Sequence, residues 1–247
     1  MFAIAIVAFG IEQFVVGDFV PGRAAAWPAA MAGRLFWAYG TGAVFVLCGV
    51  AMIAGRRAVQ AATLVAALIA GWALSRNIPI ALHDTQFGGA WTNLGKALAL
   101  TGGALAFAGS LSRERAGALL LAGRWALGIF LFDSGIQHVL FSTFVATLVP
   151  AWIPGSMFWT YFAAAALMAG GVGLVVPRTS RLAATLTGLM IGIWVLILHI
   201  PRAVAALPLQ RRNEWTAVFE ALAFAGMAIV LTSRTPRADA SRRQPRQ

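Results

Sequence analysis

Histidines and acids inside apolar stretches are the residues of this sequence best suited to chemistry. The chain has 247 residues, of which 60% are hydrophobic and 11% are charged. An ionisable side chain in such a setting costs about 2.5–3.5 kcal/mol unless it finds a partner or a wet cavity. Imidazole and carboxylate groups can relay protons, since the unperturbed pKa of histidine is about 6.5. The candidate catalytic residues are His138, His199, Glu214, Glu220 and Asp133.

Four further side chains could line a pocket beside these groups: Gln137, Trp152, Asn213 and Trp215. If each apolar run is one helix of a bundle, most of the candidates fall near the same end of three helices. Glu220 and Asp133 then lie about a turn and a half deeper, at about 1.5 Å per residue. We therefore expect a single outward-facing pocket beneath an amphipathic segment at 141–156.

Three of the candidates also have a structural interpretation. His138 could hydrogen-bond a lipid headgroup or a loop carbonyl. His199 could cap carbonyls that Pro201 leaves free. Glu214 could be a first-turn acid favoured by the helix dipole.

The sequence does not decide which of the remaining charged residues form ion pairs with each other. Lys96 and Glu220 could pair across the two halves of the chain, or the pairs could stay within each half, as Glu12 with Lys96. Asp133 could face Arg124 or His138.

Metal and cofactor chemistry is only weakly indicated. Imidazole and carboxylate suit iron, zinc or manganese, and His138, His199 and Glu214 would be the ligands if a metal were bound. They fall on three helices, with no His-x-x-His or Glu-x-x-His spacing. A bis-histidine haem between His138 and His199 is conceivable, and a quinone is the other cofactor to consider. Cys48 is the only cysteine, which excludes dithiol catalysis.

The elements that must position these residues are apolar helices. Soluble domains are about 45–50% apolar and about 25% charged, so the composition excludes a soluble or disordered chain. The sequence predicts an all-α polytopic membrane protein with eight transmembrane helices. The predicted helices span 1–16, 35–54, 59–77, 92–110, 117–140, 157–176, 182–201 and 215–233. The segments 17–34 and 141–156, rich in Trp, Phe and Pro, are expected at the headgroup level.

The two halves of the chain resemble each other at an offset of 122–125 residues over about 95 residues. Residues 36–39 (FWAY) match 158–161 (FWTY), and Ile78-Pro79 matches Ile200-Pro201. We expect two parallel four-helix repeats, 1–110 and 117–233, related by a pseudo-twofold axis along the membrane normal. The basic tail, 234–247, is expected to be disordered.

The net charge of +11 is distributed as an orientation signal rather than as a nucleic-acid site. If the chain starts inside, twelve arginines lie on the inner side and six on the outer side, with Lys96 within a helix. The excess predicts a multi-pass membrane protein with both termini cytoplasmic.

Residues 117–233 resemble the DoxX-like family of bacterial integral membrane proteins. The resemblance lies in Arg124-Trp125, Gly128 and the run 135–138 (GIQH), in the loop 149–154 (VPAWIP), and in 170–174 (GGVGL) followed by an Arg178/Arg181 turn. Residues 1–110 match more weakly and lack the inner arginine. The resemblance implies a four-helix unit, here doubled, in the bacterial inner membrane. Relatives include subunits associated with thiosulfate:quinone oxidoreduction, components of redox and detoxification complexes, and eukaryotic surfeit-locus cargo receptors, so no catalytic residue is carried over.

These features lead us to expect a membrane protein whose second repeat binds a small lipophilic molecule, such as a quinone, in a redox-associated process. Whether it is itself an oxidoreductase or a quinone-binding subunit is open. One alternative is a non-catalytic accessory or scaffold subunit of a membrane complex, whose basic tail contacts anionic lipid or an acidic partner. Another is a small-molecule transporter, which requires Lys96 and Glu220 to meet at the pseudo-twofold axis. The expected partners are membrane lipids and other redox subunits, with no nucleic acid.

Overall fold

The described chain is helical throughout its regular structure. The computed structural model describes residues 1–20, 27–28, 30–83, 86, 88–112, 114 and 116–233, and contains no strand among them. The tail predicted to be disordered, 234–247, lies outside the described residues. Within them, eight long helices follow one another, with a short helix, Ser142–Ala146, between the fifth and the sixth. The long helices are α1 (Phe2–Val16), α2 (Arg34–Ile53), α3 (Ala58–His83), α4 (Gly89–Leu111), α5 (Ala116–Leu140), α6 (Ser156–Val175), α7 (Ser180–Ala205) and α8 (Pro208–Val230).

Six of these helices, α2 to α7, are long and apolar enough to cross a membrane, which indicates a multi-pass membrane protein. Helix α1 is apolar but has only 15 residues. Helix α8 has 23 residues but opens on a polar stretch that contains Arg211, Arg212 and Glu214. The predicted all-helical membrane fold is therefore confirmed at the level of six span-length helices.

Near their C-terminal ends, helices α3 and α7 each change from α-helical to π-helical hydrogen bonding. A π-helical segment, Ala73–Asn77 in α3 and Val195–His199 in α7, precedes a last α-helical part that contains Pro79 or Pro201. The sequence-based ends at 77 and 201 were therefore wrong, because both helices continue, to His83 and Ala205. A proline removes one backbone donor and clashes with the preceding turn, and the wider i→i+5 pattern accommodates this without ending the helix.

The eight helices form a closed ring. Each packs on the next in chain order, and α8 returns to pack on α1. Helices α4 and α8 also contact each other and run in the same direction, since Lys96 meets Glu220 and the Cα of Gly103 faces Met227. The hydrophobic core of the described residues contains large, fully buried side chains such as Phe9, Leu100 and Met227.

Glycine residues permit close contacts between helices. A Cβ atom placed on Gly128 of α5 would lie 2.9 Å from the carbonyl oxygen of Gly171 in α6. Such small-residue contacts allow backbones to approach in a membrane, where packing rather than the hydrophobic effect drives helix association.

Candidate functional site

An ion pair lies at the contact between α4 and α8. Lys96 Nζ donates to Glu220 Oε2 at 2.7 Å. The Glu220 side chain is 5% exposed and that of Lys96 is 26% exposed. The second carboxylate oxygen, Oε1, is buried and has no hydrogen-bond partner. Of the open pairings, the structure thus shows the one that links the two halves of the chain.

A second ion pair joins the end of α7 to α8. Arg202 donates from Nε and Nη2 to the two oxygens of Glu214, at 3.1 and 2.5 Å. A third donor of Arg202, Nη1, reaches the carbonyl of Leu148 at 3.1 Å. One guanidinium therefore ties α7, α8 and the segment after α5 together. Because α8 begins at Pro208 and not at 215, Glu214 lies in its second turn, and the first-turn interpretation of this acid was wrong.

His199 ends the π-helical segment of α7 beside these pairs. Charges on Arg202, Glu214 and Lys96 act on its imidazole ring. Within the described part of the chain, its ring nitrogens have no hydrogen-bond partner. We call His199, Arg202, Glu214, Lys96 and Glu220 the ion-pair cluster.

A hydrogen-bonded network links α4 and α5. Thr92 Oγ1 donates to Gln137 Oε1 at 2.6 Å, and Gln137 Nε2 donates to Asp133 Oδ2 at 2.7 Å. The Asp133 carboxylate therefore accepts from Gln137. We call these three residues the amide network. His138 lies one residue further along α5, and its Nδ1 is 2.7 Å from the carbonyl of Ser134, to which it donates when that nitrogen carries the proton.

The candidates fall into these two groups rather than into one pocket. The amide network and His138 are on the α4–α5 side, whereas His199 belongs to α7. Helices α6 and α8 each pack on both α5 and α7 and so stand between the two histidines. In the described residues, no three His, Cys, Asp or Glu side chains form a group that could hold a metal ion. The proposed ligand set His138, His199 and Glu214 is therefore not brought together.

The expected ligand-binding residues take different positions. Gln137 belongs to the amide network. Trp152 is 67% exposed, Asn213 is exposed, and half-buried Trp215 stacks on Phe219 with ring centroids 6.0 Å apart. Two grooves on the described surface, of about 760 and 340 Å³, are lined by none of the candidates.

Two arginines that organise the structure, Arg34 and Arg202, were missed. Both lie just outside the predicted helices, where they were expected only to contribute to the charge of the outer loops. Arg34 begins α2 and donates to both oxygens of Asp18, at 2.8 and 2.6 Å. It also donates to the carbonyl of Trp27 at 2.7 Å. Its guanidinium holds the pKa of the Asp18 carboxyl below the usual value. The sequence signal that could have identified these pairs is an acid 16 residues from Arg34 and another 12 residues from Arg202.

The first half of the chain also contains buried polar side chains. Gln13 is fully buried and donates to the carbonyl of Ala38 at 2.7 Å and to Thr41 at 2.9 Å. Asn77 ends the π-helical segment of α3 and is 3% exposed. Glu12 accepts from Thr216 of α8 at 2.8 Å.

Comparison with known proteins gives one similarity. The family model for a domain of unknown function, DUF8561, matches residues 127–222. This region runs from α5 into α8 and contains every candidate catalytic and ligand-binding residue, but not Lys96. No curated protein and no solved structure matches the chain.

Proposed function

We propose that the eight helices are eight transmembrane spans arranged as two parallel four-helix repeats of a DoxX-like unit. Helices α2 and α6 begin at 34 and 156 and end at 53 and 175, so both bounds differ by 122 residues. The π-helical segments, 73–77 and 195–199, keep the same offset. The parallel contact of α4 with α8 supports a pseudo-twofold axis at that point.

The proposed setting is the bacterial inner membrane, with both termini cytoplasmic, as the arginine excess favours. Single cysteines introduced at 27 and at 152 in a Cys48→Ala background test this topology. Both are expected to react with an impermeant maleimide added to intact spheroplasts, and a cysteine at 56 only after lysis. Labelling of 56 in intact spheroplasts would contradict it.

We further propose that the protein binds a small lipophilic molecule, of which a quinone is the leading case, at the ion-pair cluster in a redox-associated process. The observation that carries this proposal is the environment of the His199 side chain. This side chain is a half-buried imidazole on a π-helical segment with no hydrogen-bond partner among the described residues. π-Bulges occur frequently at functional sites. A neutral imidazole N–H can donate to a quinone carbonyl, and the neighbouring carboxylates can accept protons.

Quinone binding is tested by comparing two matched variants. His199→Ala removes the proposed donor, and Asn77→Ala changes the residue at the corresponding π-helical position in the first half. Each protein is purified in detergent, and bound quinone is quantified by organic extraction and chromatography. We expect quinone in the wild type and in Asn77→Ala, and its loss in His199→Ala. Equal quinone content in all three proteins would overturn the proposal, as would its absence from the wild type.

His138 makes a separate contribution to this test. Because its Nδ1 faces the carbonyl of Ser134, only Nε2 is available to a ligand. We expect His138→Ala to reduce quinone content if the ligand also reaches α5, while Asn77→Ala has no effect.

Transport along the axis is a second candidate, favoured by one observation. Lys96 and Glu220 do meet at the α4–α8 contact, as a transporter built on this axis requires. Flux of a candidate solute into proteoliposomes that depends on Glu220 would favour transport. Stoichiometric co-purification of a partner, without quinone, would instead favour an accessory subunit.

A further inference from the structure

A lateral groove of about 760 Å³ lies between α6 and α7, and none of the candidate residues lines it. Its size is within the range of small-molecule sites, about 300–1,000 Å³. Of its fourteen lining residues, only Thr179 and Thr187 carry a polar side chain. Its rim reaches the surface, since Leu182 is 62% and Leu186 is 56% exposed. In a protein whose helices cross a membrane, this surface faces lipid.

The length of the groove matches one leaflet of a bilayer. It extends from Ala166 in α6 to Val176, the residue that follows this helix. Ten residues at about 1.5 Å each give about 15 Å, half of a hydrocarbon core of about 30 Å. An extended acyl chain of a single phospholipid therefore fits its long dimension.

A fixed, positively charged turn closes one end of the groove. Thr179 Oγ1 donates to the carbonyl of Gly173 at 3.0 Å, which holds the turn between α6 and α7 in place. Arg178 and Arg181 flank Thr179 and are both exposed. Neither forms an ion pair with any residue in the described part of the chain. Two exposed and unpaired cations beside an apolar groove are available to an anionic headgroup.

We propose that this groove binds an anionic phospholipid, with one acyl chain between α6 and α7 and the phosphate at Arg178 and Arg181. Basic sites at the ends of transmembrane helices are the usual places for anionic headgroups. The inference rests on the membrane setting alone and does not depend on the quinone proposal.

Photo-crosslinking locates such a lipid. The full-length protein in detergent is mixed with a phosphatidylglycerol whose acyl chain carries a diazirine, irradiated and digested, and the adducts are mapped by mass spectrometry. We expect adducts on residues 166–190 that unlabelled phosphatidylglycerol competes away and phosphatidylcholine does not. Adducts formed elsewhere on the same molecules serve as an internal reference.

Two pairs of variants separate the headgroup from the acyl chain. Arg178→Gln/Arg181→Gln is expected to weaken binding about thirty-fold, at about fivefold per cation. Arg56→Gln/Arg57→Gln removes two exposed arginines between α2 and α3 that do not line the groove, and should leave these adducts unchanged. Ala169→Phe fills the groove, whereas Ala165→Phe changes an exposed residue one turn away on the same helix.

Several outcomes would overturn the proposal. They are adducts on 166–190 that survive Arg178→Gln/Arg181→Gln, an equal loss in Arg56→Gln/Arg57→Gln, equal competition by phosphatidylcholine, and full labelling in Ala169→Phe. Because Ala169 is exposed, its variant keeps the test available if the double arginine variant does not fold.

Discussion

Because Glu220 is more deeply buried than Lys96, we expect loss of either partner of this ion pair to lower the free energy of unfolding by a different amount. Lys96→Met leaves the Glu220 carboxylate, which is 5% exposed, without its cation. Removing one partner of a buried pair costs about 3–5 kcal/mol because the other charge stays desolvated. Glu220→Gln instead leaves Lys96, which is 26% exposed and can turn its ammonium toward water. We expect this second change to cost less, about 1–3 kcal/mol.

The parallel contact of α4 with α8 allows a test in which exchanging Lys96 and Glu220 restores the stability lost in the single variants. Because the two residues face each other across the proposed axis, Lys96→Glu/Glu220→Lys places the opposite charges on the exchanged helices. We expect the double exchange to recover most of the stability that either single reversal loses. Lys96→Met/Glu220→Leu should also be more stable than Lys96→Met, because no charge is left buried.

The assay is equilibrium unfolding by dodecyl sulfate in mixed micelles, followed by the fluorescence of the nine tryptophans. The free energy of unfolding is compared between the wild type, the single variants and the exchange. A Lys96→Met protein as stable as the wild type would refute the buried-pair reasoning. An exchange no more stable than either single reversal would refute the facing geometry.

Three further predictions concern the elements around the site. The pKa of Asp18 is lowered by the hydrogen bond from Arg34, so its stabilisation is present above the unfolded pKa of about 3.9 and is lost as pH falls through the folded pKa. Asp18→Asn should therefore lower the thermal midpoint at pH 7 and make no difference in strong acid, and a deficit that persists in acid would contradict this. Arg202→Lys should speed proteolysis near residue 148, because an ammonium cannot replace three guanidinium contacts, and unchanged cleavage would argue against that role. Gly171→Ala should lower the midpoint, since its Cβ would meet a backbone carbonyl at 2.5 Å, whereas Gly192→Ala, with open space around it, should not; equal midpoints would disprove the close contact.

The helices were largely predictable because their signal is local. A run of apolar residues ended by Gly, Pro or Arg marks a helix wherever it packs, and the described bounds of α2, α4 and α6 lie within three residues of the predicted ones. The ends of α3 and α7 were not predictable in this way. A proline usually ends a helix, and nothing in the sequence announces that a π-helical segment will carry the chain past Pro79 and Pro201.

Which candidate residues lie close together could not be predicted from the sequence and was decided by the tertiary structure. Residue types and depths placed His138 and His199 near the ends of their helices, which suggested one pocket. The ring order then set α6 and α8 between them. Arg202, counted as a loop charge, contacts both Glu214 and Leu148, and so connects elements 54 residues apart.

The sequence by itself determined that the chain is helical, apolar enough for a membrane, and scarce in charge, since composition and periodicity are properties of short segments. Which charges meet was decided only by the tertiary structure. Lys96 reaches Glu220 across 124 residues, and Glu12 reaches Thr216 across 204. Those pairs exist because α8 packs on both α1 and α4. A local pattern sets the face that a helix buries, but the closure of the ring selects the partner against which that face is buried.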